Sequence, residues 1–155
     1  MSGILLIGYG NPCRLDDGLG PAVAQAIAEM DIDGIDVDSD YQLTVEDAVD
    51  ISKHDAVIFA DADVSGPEPF YFKKIKPAEH VSFSSHSISP TSLLGLVKNI
   101  YNIEVDAYVL GIRGYDFNEF EEKLSVKAQD NLKQALIFIE KIVRTKKFEE
   151  FNSTF

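Results

Sequence analysis

Apolar positions follow two rhythms along this chain. Ile4–Gly10 is a short, nearly continuous apolar run stopped by glycines, the pattern of a strand buried on both faces. Leu19, Val23, Ala26, Ile27 and Met30 then recur at helical spacing. Ile35–Asp38 reads as a second strand. Thr44 is placed to cap a short helix reaching about Lys53, with Asp47 at its third position. Ala56–Ala60, AVIFA, is another buried strand and runs into Asp-Ala-Asp. Phe70–Ile75 alternates weakly and predicts an edge strand. Ser82–Ser89 is a serine-rich loop holding His86. Ser89 as N-cap and Pro90 in the first turn open a helix whose apolar face is Leu93, Leu94, Val97, Ile100 and Tyr101. Val105–Ile112 reads as the last strand. Ser125 caps a long helix with Ala128, Leu132, Ala135, Leu136, Ile139, Ile142 and Val143 on one face. The closing KFEEFNSTF has no clear pattern, so about the last eight residues are expected to fray.

Strands alternating with helices predict a single α/β domain over 1–155, a three-layer sandwich. Its mostly parallel, twisted sheet has about five strands, and right-handed crossovers place helices on both faces. In such a sheet ligands sit beyond the carboxyl ends of the strands. Three polar clusters fall at such places: Asn11, Asp16 and Asp17 after the first strand, Asp61 and Asp63 after the third, and His86 in a loop leading into a helix.

Composition narrows the partners. The 155 residues carry a net charge of −12, which disfavours the phosphate backbone of nucleic acid and an anionic membrane surface. No apolar run approaches the ~18 residues of a membrane span. No basic segment followed by an apolar stretch opens the chain, so no secretion signal is expected. The single cysteine, Cys13, excludes an internal disulfide and suits a cytoplasmic protein. Nothing in the sequence demands an oligomer, and a monomer is expected.

The first loop invites a phosphate reading, which fails in detail. A dinucleotide fingerprint would place a third glycine where Cys13 stands, and no Gly-Lys-Ser/Thr follows. Adjacent carboxylates would also repel a phosphate. A cation fits better: Asp16, Asp17, Asp61, Asp63 and His86 offer oxygen ligands and one imidazole, a set suited to zinc, nickel, iron or manganese. Each residue also has a plainer role. Asp16 or Asp17 can cap a helix, Asp61 and Asp63 can be turn residues, and His86 can be a solvated loop histidine. Cys13 with His86 as base is a further arrangement that the residues leave open.

Gly10–Pro21, GNPCRLDDGLGP, resembles the Gly-Asn-x4-Asp-Asp/Glu-Gly signature of the hydrogenase maturation endopeptidases. Phe59–Asp63 resembles their second acidic segment, and Ser84–Pro90, SSHSISP, their histidine loop. Val109–Gly114 and the final helix fall where that family has its last strand and helix. The resemblance implies an endopeptidase that removes the C-terminal extension of a nickel–iron hydrogenase large-subunit precursor after nickel insertion. It implies metal contacts from Asp17, Asp61 and His86, with Asp17 and Asp61 as the catalytic carboxylates and Asn11, Asp16 and Asp63 in support. The nickel would come with the precursor, and no tightly bound cofactor of the protein's own is expected. Many members have Gly-Ile-Gln-Pro where this chain has Gly111-Ile112-Arg113-Gly114, and a glycine-rich turn where it has DSDYQLT, Asp38–Thr44. Neither departure touches the implied ligands. A non-catalytic metallochaperone or assembly scaffold, and an unrelated α/β nucleotide-binding hydrolase, are the alternative readings.

Overall fold

The two rhythms become a sheet and the helices that cover it. The computed structural model describes residues 3–85 and 87–148. In chain order the elements are β1 (Ile4–Tyr9), a 3-10 turn (Leu15–Gly18), α1 (Leu19–Met30), β2 (Ile35–Asp40), α2 (Asp47–Ile51), β3 (Ala56–Asp63), β4 (Phe70–Ile75), α3 (Pro90–Tyr101), β5 (Asp106–Arg113) and α4 (Val126–Thr145). The strands lie in the order β2-β1-β3-β5-β4. All neighbours are parallel except β4, which pairs antiparallel with β5 at one edge.

Alternation along the strands divides the core in two. Ile4, Leu6, Ile58, Ala60, Leu110 and Ile112 pack under α1 and α4. Leu5, Ile7, Val57, Phe59 and Ala107 pack under α2 and α3 with Leu43, Ile51, Leu93 and Val97. This is the expected three-layer α/β arrangement. Among the described residues no helix is long and apolar enough to cross a membrane.

Local chemistry sets the helix ends. The Ser92 N–H donates to Ser89 Oγ at 3.2 Å and the Ala128 N–H to Ser125 Oγ at 3.3 Å, so both expected serine caps form. Other boundaries differ from the sequence pattern. α2 begins at Asp47 because Thr44–Glu46 forms a turn, in which Asp47 Oδ2 accepts the Thr44 N–H at 2.9 Å. β3 continues through Asp61–Asp63 because β5 supplies partners as far as Arg113. The expected fraying falls mostly outside the described residues, although Phe148 is described and stacks on Tyr108 at 4.7 Å.

β2 forms the other edge. The Asp40 carbonyl accepts from the Gly10 N–H at 3.0 Å, which turns the N–H groups of Ile35, Ser39 and Tyr41 away from β1. Those groups are already engaged, with the Ile32 carbonyl (3.4 Å), Asp38 Oδ1 (2.9 Å) and Asp40 Oδ1 (2.8 Å) respectively.

Candidate active site

The glycines after β1 hold chain rather than phosphate. Gly10 has a φ of +140°, and a Cβ there would lie 2.1 Å from the Asp17 carbonyl oxygen. A Cβ on Gly8 would lie 2.1 Å from the Gly20 carbonyl oxygen. The missing side chains let the 3-10 turn and the start of α1 fold down onto the end of β1. Asp17 Oδ2 then accepts the Asn11 N–H at 2.8 Å, and Asn11 Oδ1 accepts the Cys13 N–H at 2.9 Å. The loop is thus ordered from within, with Cys13 exposed on its outside.

Asp61 and Asp63 stand at the carboxyl end of β3, beside an open cavity of about 460 Å³ also lined by Tyr9, Tyr71, Lys73, Thr91 and Gly111. Their environments differ. Burial, reinforced by the charges of Asp17 and Asp63, pushes the Asp61 carboxyl up to about 7. Hydrogen bonds from the Ala62 N–H, at 2.8 Å to Oδ1, and from the Tyr9 hydroxyl oppose that rise without cancelling it. Burial acts on Asp63 in the same direction but is outweighed. The N–H groups of Ser65 and Gly66 donate to Oδ1 at 3.0 and 2.9 Å, and the Tyr71 hydroxyl and Arg113 also favour its charge. Asp63 is therefore held below the usual carboxylate range. Neighbouring carboxylates with pKa values driven apart are the arrangement from which acid–base roles are assigned.

Asp16, adjacent in sequence to Asp17, turns elsewhere. It is fully buried, and its carboxylate accepts the N–H groups of Tyr115 (2.8 Å), Asp116 (3.0 Å) and Ser125 (2.7 Å) and the Ser125 hydroxyl (2.7 Å). Arg14 and Leu15 join the same tie: Arg14 Nε donates to the Phe117 carbonyl at 3.1 Å and the Leu15 N–H to the Glu121 carbonyl at 3.0 Å. The structure thus brings Asp17, Asp61 and Asp63 into one electrostatic neighbourhood and sends Asp16 to the segment before α4. His86 lies outside the described residues. Its flanks are ordered by the Ser84 N–H to the Ser87 carbonyl at 3.0 Å and by a Phe83–Ile88 bridge.

Two tyrosines escaped the sequence reading. Tyr9 bonds Asp61, and its phenol is raised by burial and by that carboxylate. Tyr71 bonds Asp63 and is pushed up to about 12 by burial and the Asp63 charge. Both pairings run between strands, so no local pattern signals them, although Tyr9 does share the alternation phase of Leu5 and Ile7.

The donor set suits a cation. Asp61 is partly buried, and the charges of Asp17 and Asp63 both oppose its ionisation, an imbalance that a divalent ion would relieve. Asp17, Asp61 and Asp63 do not themselves form a trio of ligand atoms within 4.8 Å; among the described residues Asp38, Asp47 and Asp50 do. That trio lies toward the β2 edge, where Thr44 already occupies Asp47 Oδ2.

No protein-family model and no curated protein matches the sequence. Solved structures do match in three dimensions. The hydrogenase maturating endopeptidase HybD from E. coli is 19% identical with a TM-score of 0.71, covering 94% of each chain. The [NiFe] hydrogenase maturation protease HycI from Thermococcus kodakarensis KOD1 is 21% identical with a TM-score of 0.70, covering 92% of each chain. The hydrogenase 2 maturation peptidase from Thaumarchaeota archaeon SCGC_AB-539-E09 is 21% identical with a TM-score of 0.66, covering 90% of this chain and 96% of that one. Over nearly its whole length, the chain has the fold of the hydrogenase maturation proteases.

Proposed function

We propose that this protein is an endopeptidase that removes the C-terminal extension of a nickel–iron hydrogenase large-subunit precursor once nickel is in place. The observation that carries the reading is the meeting of Asp17 with Asp61 at the carboxyl edge of a sheet shared with maturation proteases. Asp17, Asp61 and His86 are the groups that contact the nickel, which arrives as part of the substrate. Loaded precursor gains a contact that empty precursor lacks, and specificity is that difference. Asn11 orders the Asp17 loop, Asp63 the turn after β3, and Asp16 the segment before α4.

Asp61 is the general base. It borders the open cavity, and the hydrogen bonds from Ala62 and Tyr9 leave lone pairs on its carboxylate for a water. It takes a proton from a water whose oxygen attacks the scissile carbonyl carbon. The carbon–nitrogen bond then breaks, and the same carboxyl returns the proton to the leaving amine. The charge of Asp17 acts on Asp61 and favours the protonated carboxyl that forms during attack.

The test is mass spectrometry of nickel-loaded and nickel-free precursor after incubation with the protein. Loss of a C-terminal peptide from the loaded form alone is the expected result. Asp17→Ala, Asp61→Ala and His86→Ala are each expected to stop cleavage while leaving the protein folded. Unchanged precursor mass in both forms, with binding demonstrated, would replace the protease by a scaffold.

A further inference from the structure

We propose that Tyr9 is a positioning residue whose hydroxyl fixes the Asp61 carboxylate in the orientation that meets a divalent cation, an inference resting on the cation-contact reading of Asp61 above.

The placement follows from strand geometry. Alternation along β1 puts Leu5, Ile7 and Tyr9 on the face beneath α2 and α3, and alternation along β3 puts Val57, Phe59 and Asp61 there too. The parallel register sets Gly8 beside Ala60, which makes Tyr9 and Asp61 the next cross-strand neighbours. The Tyr9 ring packs against the apolar cluster on that face, so its hydroxyl is delivered from an anchored base. Both side chains border the 460 Å³ cavity.

The hydrogen bonds then decide what Asp61 can present. An ionised carboxylate has about four lone-pair sites. The Ala62 N–H takes one on Oδ1 at 2.8 Å, and the Tyr9 hydroxyl takes another. The rest remain for a ligand. Asp63 has less in reserve, since Ser65, Gly66 and Tyr71 all donate to it. A phenylalanine at position 9 would fill the apolar cluster equally well, and burying a hydroxyl is unfavourable unless it is bonded. Partners behind a ligating carboxylate tune metal affinity by fixing its direction.

Co2+, a divalent ion with visible bands sensitive to coordination, is titrated into the purified full-length protein as wild type, Tyr9→Phe, Asp61→Ala and the double variant. The expected result is binding about 10–100-fold weaker for Tyr9→Phe, with an altered visible spectrum and an unmoved urea midpoint. The phenylalanine should add nothing once Asp61 is alanine. Unchanged affinity and spectrum in Tyr9→Phe, when Asp61→Ala abolishes binding, would overturn the role of Tyr9 and leave the cation reading standing. Wild type and Asp61→Ala behaving alike would overturn both.

Discussion

Replacing Asp16 by alanine tests the tie between the first motif and the segment before α4. One buried carboxylate accepts three main-chain N–H groups and the hydroxyl of Ser125, the residue that caps α4. Alanine removes every acceptor and leaves the donors in a site closed to bulk water. Each unsatisfied buried donor costs about 1–3 kcal/mol, so a total of about 4 kcal/mol is expected after partial relaxation. That is a large share of the ~5–15 kcal/mol by which domains are stable. Urea unfolding followed by far-ultraviolet circular dichroism at pH 7 is the assay. With a slope of about 2 kcal/mol/M, the midpoint should fall by about 2 M with the slope unchanged. The effect should also depend on pH. Burial opposes ionisation of Asp16, but its hydrogen bonds outweigh burial and hold it below its ordinary 3.8. Its contribution is therefore complete above pH 3.8 and disappears as the pH falls through the folded value. A midpoint shift below about 0.5 M at pH 7, equivalent to about 1 kcal/mol, would refute the reasoning, because the donors would then have found other partners.

Asp61→Asn should stabilise the metal-free protein above neutral pH. Raising a carboxyl from 3.8 to about 7 on folding makes the ionised protein less stable by at most about 4 kcal/mol, and by about 2 kcal/mol after allowance for its partial exposure. This cost is absent below pH 3.8 and grows until about pH 7, so denaturation curves of the two proteins should diverge over that window; parallel curves would refute the shift. Gly10→Ala should destabilise by about 2–4 kcal/mol and stop precursor cleavage, since its Cβ would meet the Asp17 carbonyl at 2.1 Å; thermal denaturation and the cleavage assay check both. Cys13→Ser, at an exposed position, should cleave precursor at the wild-type rate, and an inactive variant would point to a thiol nucleophile.

What the sequence revealed of this fold is what local pattern can carry. The apolar runs at Ile4 and Ala56 mark buried strands, and the serines at 89 and 125 mark helix starts, because each signal lies within a few residues of its effect. The extension of β3 through Asp63 could not be read there, since it depends on pairing with β5 about fifty residues on. Asp16 and Asp17 look alike in sequence, yet one bonds residues about a hundred positions away and the other bonds Asn11. The Tyr9–Asp61 pairing likewise exists only once the strand order does. The carboxylates that gather at the end of β3 were legible because acidic residues after strands are conspicuous; the tyrosines beside them were not.

The aspartates of β2 have a bearing on self-association. A strand at the rim of a sheet is a template for a further strand, and colliding molecules can join along it. Here the outward N–H groups of Ser39 and Tyr41 are each occupied by the carboxylate of the preceding residue. An approaching chain would have to displace two charged acceptors, and a second copy would bring its own negative charges against them. At these two positions the rim is thus chemically blunted, and neutralising Asp38 and Asp40 is the change that would unmask them.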